Sequence, residues 1–120
     1  MSGVSQIDDD ASLLRRIHPT QIVRDGDGHA RVSSGAFNDT EMSVDVEDLL
    51  NEAGLDWHFS LKNYPQHSLV RFPAGIARSN NQSVVHVPLA DNVAHAEVRG
   101  PKTRAVKNAF KAAVTWVHLL

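Results

Sequence analysis

The sequence contains no cysteine. This absence excludes a disulfide scaffold, a thiolate nucleophile and a zinc site built on sulfur, and it is compatible with a reducing compartment. No apolar run approaches the roughly 18 residues that a membrane span needs, so we expect no membrane association. The first ten residues lack the basic and apolar regions of a secretory signal and the arginines of a transit peptide. A cytoplasmic protein is the simplest expectation.

Familiar catalytic and cofactor motifs are also missing. The chain has no phosphate-binding loop, Gly-x-Gly-x-x-Gly, His-Glu-x-x-His, Gly-x-Ser-x-Gly or EF-hand loop. The run Asp-Gly-Asp-Gly at 25–28 resembles the start of a calcium loop, but the later ligands and the bidentate acid are absent. These residue types are typical of a tight turn. We therefore expect neither a cofactor nor a resident metal.

Length and composition favour one globular domain. The chain has 120 residues, of which 42% are hydrophobic and 22% charged. These values are typical of a single domain that buries its own core. Residues 1–11 are polar, acidic and without periodicity, so we expect a flexible acidic tail there and a single α+β domain over residues 12–120.

Charge is divided unevenly along the chain, although the net charge is only −2. Residues 1–60 carry 12 acids and 4 bases, or −8, and residues 61–120 carry 2 acids and 8 bases, or +6. Either the two halves attract each other within the fold, or the basic half binds an acidic partner.

Short β-favouring runs separated by turn residues predict most of the architecture. We predict strands at residues 13–18, from 29 onward, at 67–72, 83–87 and 94–98, with 75–78 continuing one strand or forming another. Helix-forming residues ending in a glycine predict a short inner helix over 46–53, capped by Ser43 or Asp45. The fold class is α+β: a mostly antiparallel sheet with this inner helix and a longer amphipathic C-terminal helix packed on it.

The clearest helical pattern is near the C-terminal end, from residue 102 to about 119. Val106, Phe110, Ala113 and Val117 recur at spacings of four, three and four. This spacing places them on one face of a helix, so we expect them to form its core-facing stripe.

The polar side of that helix is basic. It carries Lys102, Arg104, Lys107 and Lys111 with no acidic residue among them, and these four are the candidate partner-binding residues. An acidic protein is the expected partner. We do not expect nucleic acid, because the overall charge is negative and no exposed aromatic residues accompany the helix for base stacking. The oligomeric state stays open.

Seven histidines are many for this length, and two of them fall on the predicted hairpin. If the hairpin closes symmetrically about Ala90 and Asp91, His86 lies opposite His95, and both share a face with Glu97. Such a group has the chemistry of a two-histidine, one-carboxylate metal site or of an acid–base pair. His95 and Glu97 are then candidate catalytic residues and His86 a ligand-binding one. The alternative is a solvated sheet face, because a one-residue slip separates the trio.

A second candidate cluster lies in the first half of the chain. Strand alternation places Arg16 and His18 on one face, with Arg15 and Ile17 on the other. Arg16, His18 and Ser34 are candidate ligand-binding residues for phosphate or carboxylate, and Ser33 is a candidate catalytic residue. The alternative is that His18 ends a strand and the serines begin a turn.

Four short segments of the chain form a recognisable set: Arg-Ile-His-Pro at 16–19, Arg-Val-Ser-Ser-Gly-Ala-Phe at 31–37, Met-Ser-Val at 42–44 and Ala-His-Ala-Glu-Val at 94–98. Together they resemble a family of small bacterial proteins that is uncharacterised in function, so this resemblance implies no activity. An arginine or histidine on a first strand, serines on the next and a later glutamate are also loosely similar to the ADP-ribosyltransferase pattern.

Two functions from different classes follow from these features. The first is a non-catalytic interaction or regulatory module that uses its basic helix. The second is a small enzyme or ligand-binding protein acting on a nucleotide or phosphorylated compound. The loose resemblance to ADP-ribosyltransferases implies one such activity. The second requires Arg16, His18, Ser33, His95 and Glu97 to line one concave cavity.

Overall fold

The computed structural model describes residues 7–120. The predicted tail over residues 1–6 lies outside this range. Residues 7–11 belong to the packed domain, because the side chains of Ile7 and Ala11 are 5% exposed. The backbone carbonyls of Asp9 and Ala11 accept hydrogen bonds from the amides of Gly75 and Ala74. These contacts extend the domain beyond the boundary predicted at residue 12.

A six-stranded antiparallel sheet forms the centre of the molecule. Its strand order is β6-β7-β4-β1-β5-β8, and β2 and β3 form a separate two-stranded ribbon. The predicted α+β class with a mostly antiparallel sheet is confirmed. The strands are β1 (Ser12–Ile17), β2 (Ile22–Arg24), β3 (Ala30–Val32), β4 (Glu41–Val46), β5 (Ser68–Pro73), β6 (Ser83–His86), β7 (His95–Arg99) and β8 (Thr115–His118).

Within the described residues, four short α-helices cover the sheet. Apolar residues alternate along β1, so that Leu13 joins the core under one group of helices and Leu14 the core under the other. The larger core includes residues of α3 and α4, and the smaller core includes residues of α1 and α2. The helices are α1 (Glu47–Glu52), α2 (His58–Leu61), α3 (Ala74–Arg78) and α4 (Arg104–Ala113).

The C-terminal helix is shorter than predicted. Val106 and Phe110 are buried as expected, but the helix ends at Ala113, and Val114 has an extended backbone with ψ of 145°. The β-branched and aromatic run that follows forms β8, which pairs Trp116 with Val70 of β5. Strand β8 provides hydrogen-bond partners for the edge of β5. Val117 was predicted to lie on the apolar stripe of the helix, but this strand pairing places it on β8.

Two other local predictions are corrected. The inner helix forms at 47–52, but neither Ser43 nor Asp45 caps it, because Val46 is the N-cap and makes no side-chain bond. Residues 75–78 form most of α3 instead of a strand. Pro73 is the N-cap and has an extended backbone, with φ of −74° and ψ of 143°, and the helix begins at the next residue. Within residues 7–120, no helix combines the length and apolar content needed to cross a bilayer.

Candidate functional site

The sheet opens between its two central strands. Strand β1 pairs with β4 at Leu13–Val46 and Leu14–Asp45, and no further pair of these strands occurs among the described residues. Beyond this point the guanidinium of Arg15 donates to the carbonyl of Ser43 at 2.9 Å. The Arg15 side chain therefore takes the place of backbone hydrogen bonds between β1 and β4. It fills the gap between the two strands from one face of the sheet, and the gap stays open on the other face.

Arg15 closes the opening from the α4 side. Its Nε and Nη2 atoms donate to the carbonyl of Ala36 at 3.2 and 3.1 Å, and its side chain is only 15% exposed. Burial lowers the pKa of Arg15, and Asp39 opposes this by raising it. Arg15 thus fixes the backbone beneath the opening with hydrogen bonds to two carbonyl groups.

The opposite face holds a polar cavity of about 330 Å³, which we call the sheet-face cavity. Strands β1, β4 and β7 form its floor, α2 and the chain after it form one wall, and the β6–β7 loop forms the other. Its lining residues are Leu14, Arg16, Ser43, Val44, Asp45, Phe59, Ser60, Lys62, Asn63, Tyr64, Leu89, Asp91, Asn92 and His95.

A buried carboxylate ties the walls of the cavity to its floor. Asp45 is 3% exposed, and its Oδ2 accepts a hydrogen bond from the hydroxyl of Ser60 at 2.6 Å. Its Oδ1 accepts one from Nδ2 of Asn92 at 2.8 Å. Both oxygens therefore have a partner, as a buried carboxylate requires, and α2 and the β6–β7 loop are held against β4.

His95 has a defined tautomer. Its Nδ1 lies 2.8 Å from the carbonyl oxygen of Val87, which can only accept, so Nδ1 carries a proton. In the neutral ring Nε2 is then the acceptor, and it lies 3.3 Å from the hydroxyl oxygen of Ser43. The Ser43 hydroxyl accordingly donates to His95 within the cavity.

Arg16 supplies positive charge to the cavity. Its Nη1 donates to the carbonyl of Ser60 at 3.3 Å, and its guanidinium lies 4.0 Å from the centre of the Tyr64 ring. Lys62 lines the same wall. An arginine held by one hydrogen bond and an aromatic face keeps other N–H donors for a ligand.

The predicted convergence of His86 with His95 and Glu97 is wrong. His86 pairs with Ala96, so His86 shares the larger-core face with Ala96, while His95 and Glu97 point to the cavity face. The imidazole of His86 instead contacts the carbonyl oxygen of Val93 at 2.7 Å.

An extra residue in the loop explains this slip. Leu89 and Asn92 pair as the symmetric turn predicts, but the next hydrogen bond joins the Val87 amide to the His95 carbonyl. One more residue therefore lies on the β7 side, and Val93 is 54% exposed. Such a bulge moves every later side chain to the other face.

His95 and Glu97 do share a face, opposite two residues of β4. The register places Asp45 across from His95 and Ser43 across from Glu97. Glu97 does not line the cavity and accepts a hydrogen bond from Arg99 at 2.8 Å. Of the predicted acid–base pair, only His95 reaches the cavity.

The second predicted cluster does not form one site. Arg16 lines the cavity, whereas His18 caps a 3₁₀ turn, accepts from the Thr20 amide and does not line the cavity. Ser33 begins another 3₁₀ turn, and Ser34 lies 3.5 Å from the ammonium of Lys111 on α4. The predicted common site of Arg16, His18, Ser33, His95 and Glu97 does not form, because only Arg16 and His95 line the cavity.

The four basic residues near α4 have different surroundings. Lys102 donates to the carbonyls of Val98 and Gly100 at 3.0 Å, and burial lowers its pKa. This ammonium is therefore directed to the backbone. Arg104 is exposed, Lys107 donates to Asn38 at 3.0 Å, and Lys111 contacts Ser34.

Ion pairs join the acidic and basic halves of the chain. Arg71 makes two hydrogen bonds to Glu47, at 3.0 and 2.9 Å. Arg78 lies 2.6 Å from Asp9. These pairs support the interpretation that part of the charge asymmetry is used within the fold.

The run at 25–28 forms a turn, as its residue types predict. The Gly28 amide donates to the Asp25 carbonyl at 2.9 Å. The turn also brings the side chains of Asp25, Asp27 and His29 within 4.8 Å of one another on the exposed tip of the ribbon. His29 pairs with Asp27 at 3.1 Å, and Asp25 pairs with Arg31 at 3.3 Å, so each member of the group already has a partner.

Sequence reasoning missed Ser43, Asp45, Ser60 and Asn92 as cavity residues. The signal for two of them is the alternation in Met-Ser-Val-Asp at 42–45, where the polar residues fall on one strand face. Ser60 and Asn92 carry no such signal, because only the fold brings them to Asp45.

Comparisons of the chain with protein-family models, curated proteins and solved structures found no match. The two resemblances drawn from sequence segments therefore stay predictions.

Proposed function

We propose that this chain binds a small phosphorylated or carboxylated molecule in the sheet-face cavity. The observation that carries the proposal is Arg16, a cavity-lining arginine positioned by the Ser60 carbonyl and the Tyr64 ring. A guanidinium that is held in place recognises phosphate or carboxylate through paired hydrogen bonds.

The size and charge of the cavity support this function. A volume of about 330 Å³ is near the lower end of the range typical of small-ligand sites. Arg16 and Lys62 bring positive charge to the side of the cavity formed by α2. The carboxylate of Asp45 is already hydrogen-bonded at both oxygens, and Asp91 lies on the opposite wall, in the β6–β7 loop. An anionic group on the ligand is therefore expected at the α2 wall and a neutral polar group near His95.

A thermal-shift screen tests the proposal. Phosphate, ribose 5-phosphate, AMP, succinate and neutral adenosine are each added to the protein, and a ligand that binds only the folded state raises its melting temperature. We expect at least one anion to do so and adenosine to have no effect. Arg16→Gln should abolish the shift.

Arg104→Gln is the matched control, since Arg104 is exposed on α4 and distant in the fold from the cavity lining. This variant should respond as the parent does. Equal responses of the Arg16 and Arg104 variants, or no response of the parent to any anion, would reject the proposal.

A second candidate function is binding of an acidic protein partner through α4. The supporting observation is that Arg104, Lys107 and Lys111 lie on α4 and that this helix contains no acidic residue. The double variant Lys107→Glu, Lys111→Glu should weaken capture of an acidic partner and reduce its salt dependence while leaving the fold intact. An unchanged partner and unchanged salt dependence would count against this function.

A further inference from the structure

Ser43 and His95 have the geometry of a nucleophile and its base. The Ser43 hydroxyl lies 3.3 Å from Nε2 of His95, and the Val87 carbonyl holds the other ring nitrogen at 2.8 Å. In this arrangement one group orients the imidazole and the imidazole accepts the serine proton. Both side chains line the sheet-face cavity, so a bound molecule can reach them.

The rest of the sheet stiffens this pair. Ser43 and His95 belong to adjacent strands, β4 and β7, whose register also pairs Asp45 with His95. Arg15 holds the Ser43 carbonyl from below at 2.9 Å. A nucleophile on a central strand with its carbonyl fixed is positioned more exactly than one on a loop.

We infer that Ser43 and His95 are catalytic residues that hydrolyse a small ester whose acid or alcohol part carries an anionic group held by Arg16. This activity rests on the proposed function, because Arg16 and the sheet-face cavity would bind the substrate. Lys62 lines the same cavity and adds a second positive charge to it.

The reaction has two balanced steps. The Ser43 oxygen attacks the ester carbonyl carbon and passes its proton to Nε2 of His95; the bond to the alcohol then breaks, and the alcohol leaves with that proton. Water next attacks the acyl-serine, and His95 takes a proton from the water and returns it to the Ser43 oxygen. The products are a carboxylic acid, an alcohol and the free enzyme.

Covalent labelling tests the pair directly. Diisopropyl fluorophosphate is incubated with the full chain, and intact mass followed by peptide mapping locates the adduct. Attack by Ser43 forms a phosphorus–oxygen bond and releases fluoride, and the hydroxyl proton passes to His95. We expect one adduct, on Ser43. Ser43→Ala should abolish it, and His95→Gln should slow it by roughly 10²-fold or more.

Ser34→Ala is the matched control, because Ser34 lies beside Lys111 on the other side of the sheet. It should label as the parent does. If His95→Gln does not fold, as judged by its unfolding curve, His95→Asn takes its place. An adduct on another serine, an equal rate in the His95 variant, or no adduct would overturn the inference.

The release of 4-nitrophenolate tests the substrate class. The parent should hydrolyse mono-4-nitrophenyl adipate, which is anionic, faster than 4-nitrophenyl acetate once the enzyme-free rates are subtracted, and Arg16→Gln should remove that preference. Arg16-dependent stabilisation by anions without labelling of Ser43 would reject the hydrolase alone. Labelling of Ser43 without any anion binding would reject the binding function and the anionic substrate class.

Discussion

The hydroxyl of Ser60 donates to Oδ2 of Asp45 across 2.6 Å and joins α2 to strand β4. Since Asp45 is 3% exposed, water does not replace a lost donor easily. Ser60→Ala should therefore lower the free energy of unfolding by about 1–3 kcal/mol, the usual cost of leaving a buried polar group unpaired. Urea unfolding at neutral pH measures the difference.

Ser83→Ala is the control for this prediction. Ser83 is exposed on the edge strand β6, so its replacement should change the free energy of unfolding by no more than about 0.5 kcal/mol. Equal losses in the two variants would show that the Ser60–Asp45 bond does not stabilise the domain.

Arg15 stabilises the point at which β1 and β4 separate. Its guanidinium bonds the carbonyls of Ala36 and Ser43, beyond the last β1–β4 pair among the described residues. Arg15→Met keeps the aliphatic stem but removes these donors, so the free energy of unfolding should fall by about 1–3 kcal/mol. Arg15→Lys should recover only part of the loss, because an ammonium lacks the planar fork that spans both carbonyls.

Arg31→Met provides the comparison for Arg15. Arg31 pairs with Asp25 at 3.3 Å on the exposed ribbon, with 60% of its side chain accessible. An exposed pair of this kind contributes about 1 kcal/mol or less. Denaturant unfolding measures the free energy of unfolding of both methionine variants. If Arg15→Met lowers it no more than Arg31→Met does, Arg15 does not stabilise the point at which β1 and β4 separate.

Elements with strong local patterns were predictable from the sequence. The strands around 13–17, 68–73, 83–86 and 95–99 follow β-branched residues and turn boundaries, and the start of α4 follows its apolar spacing. These patterns also predict the α+β class, because each one shows which face of a strand or helix is buried, and together they give several strands and few helices.

The end of α4 could not be predicted from periodicity. Val117 continues the helical spacing, yet it lies on β8, because the open edge of β5 offers hydrogen bonds that a helix could not supply. The pattern in one segment does not reveal an unpaired edge elsewhere in the chain.

The candidate site was predictable only in part. Arg16 and His95 were selected for their chemistry, and both line the cavity. His86 was lost to a bulge at Val93, which no residue type in the loop indicates. Ser60 reaches Asp45 only through the packing of α2, so that contact depends on tertiary structure.

His67 should make stability depend on pH. Its Nδ1 is buried and has no hydrogen-bond partner within residues 7–120. Burial, then the charges of His18 and Arg16, lower the pKa of His67 below 6.5. The unfolded state therefore binds the proton more readily, and the free energy of unfolding falls as the pH decreases from 6.5 to the lower folded-state pKa.

His67→Asn removes this contribution, so unfolding measured between pH 8 and pH 5 should show a shallower loss of stability than in the parent. His29→Asn is the control, because His29 is 80% exposed at its side chain. It should keep the parent's dependence. Parallel curves for the parent and the His67 variant would refute the assignment.

Gly100 lies where any side chain would be strained and would meet Gln82. Its φ is +146°, and a Cβ added there would lie 2.8 Å from the side-chain amide of Gln82. Gln82 cannot move away freely, because it is 5% exposed and its Nε2 donates to the carbonyls of Pro101 and Asn80 at 3.0 and 3.3 Å. Gly100→Ala should therefore lower the free energy of unfolding by about 1–3 kcal/mol.

Two further variants separate the causes of that loss. Gly26→Ala is the control, since no atom lies within 4 Å of its added Cβ, and its effect should stay within about 0.5 kcal/mol. Combining Gly100→Ala with Gln82→Ala removes the clash but keeps the backbone strain. If the two losses are coupled through the clash, the double variant loses less stability than the sum of the single variants. A Gly100 variant as stable as the Gly26 variant in urea would show that neither strain nor the clash operates at this turn.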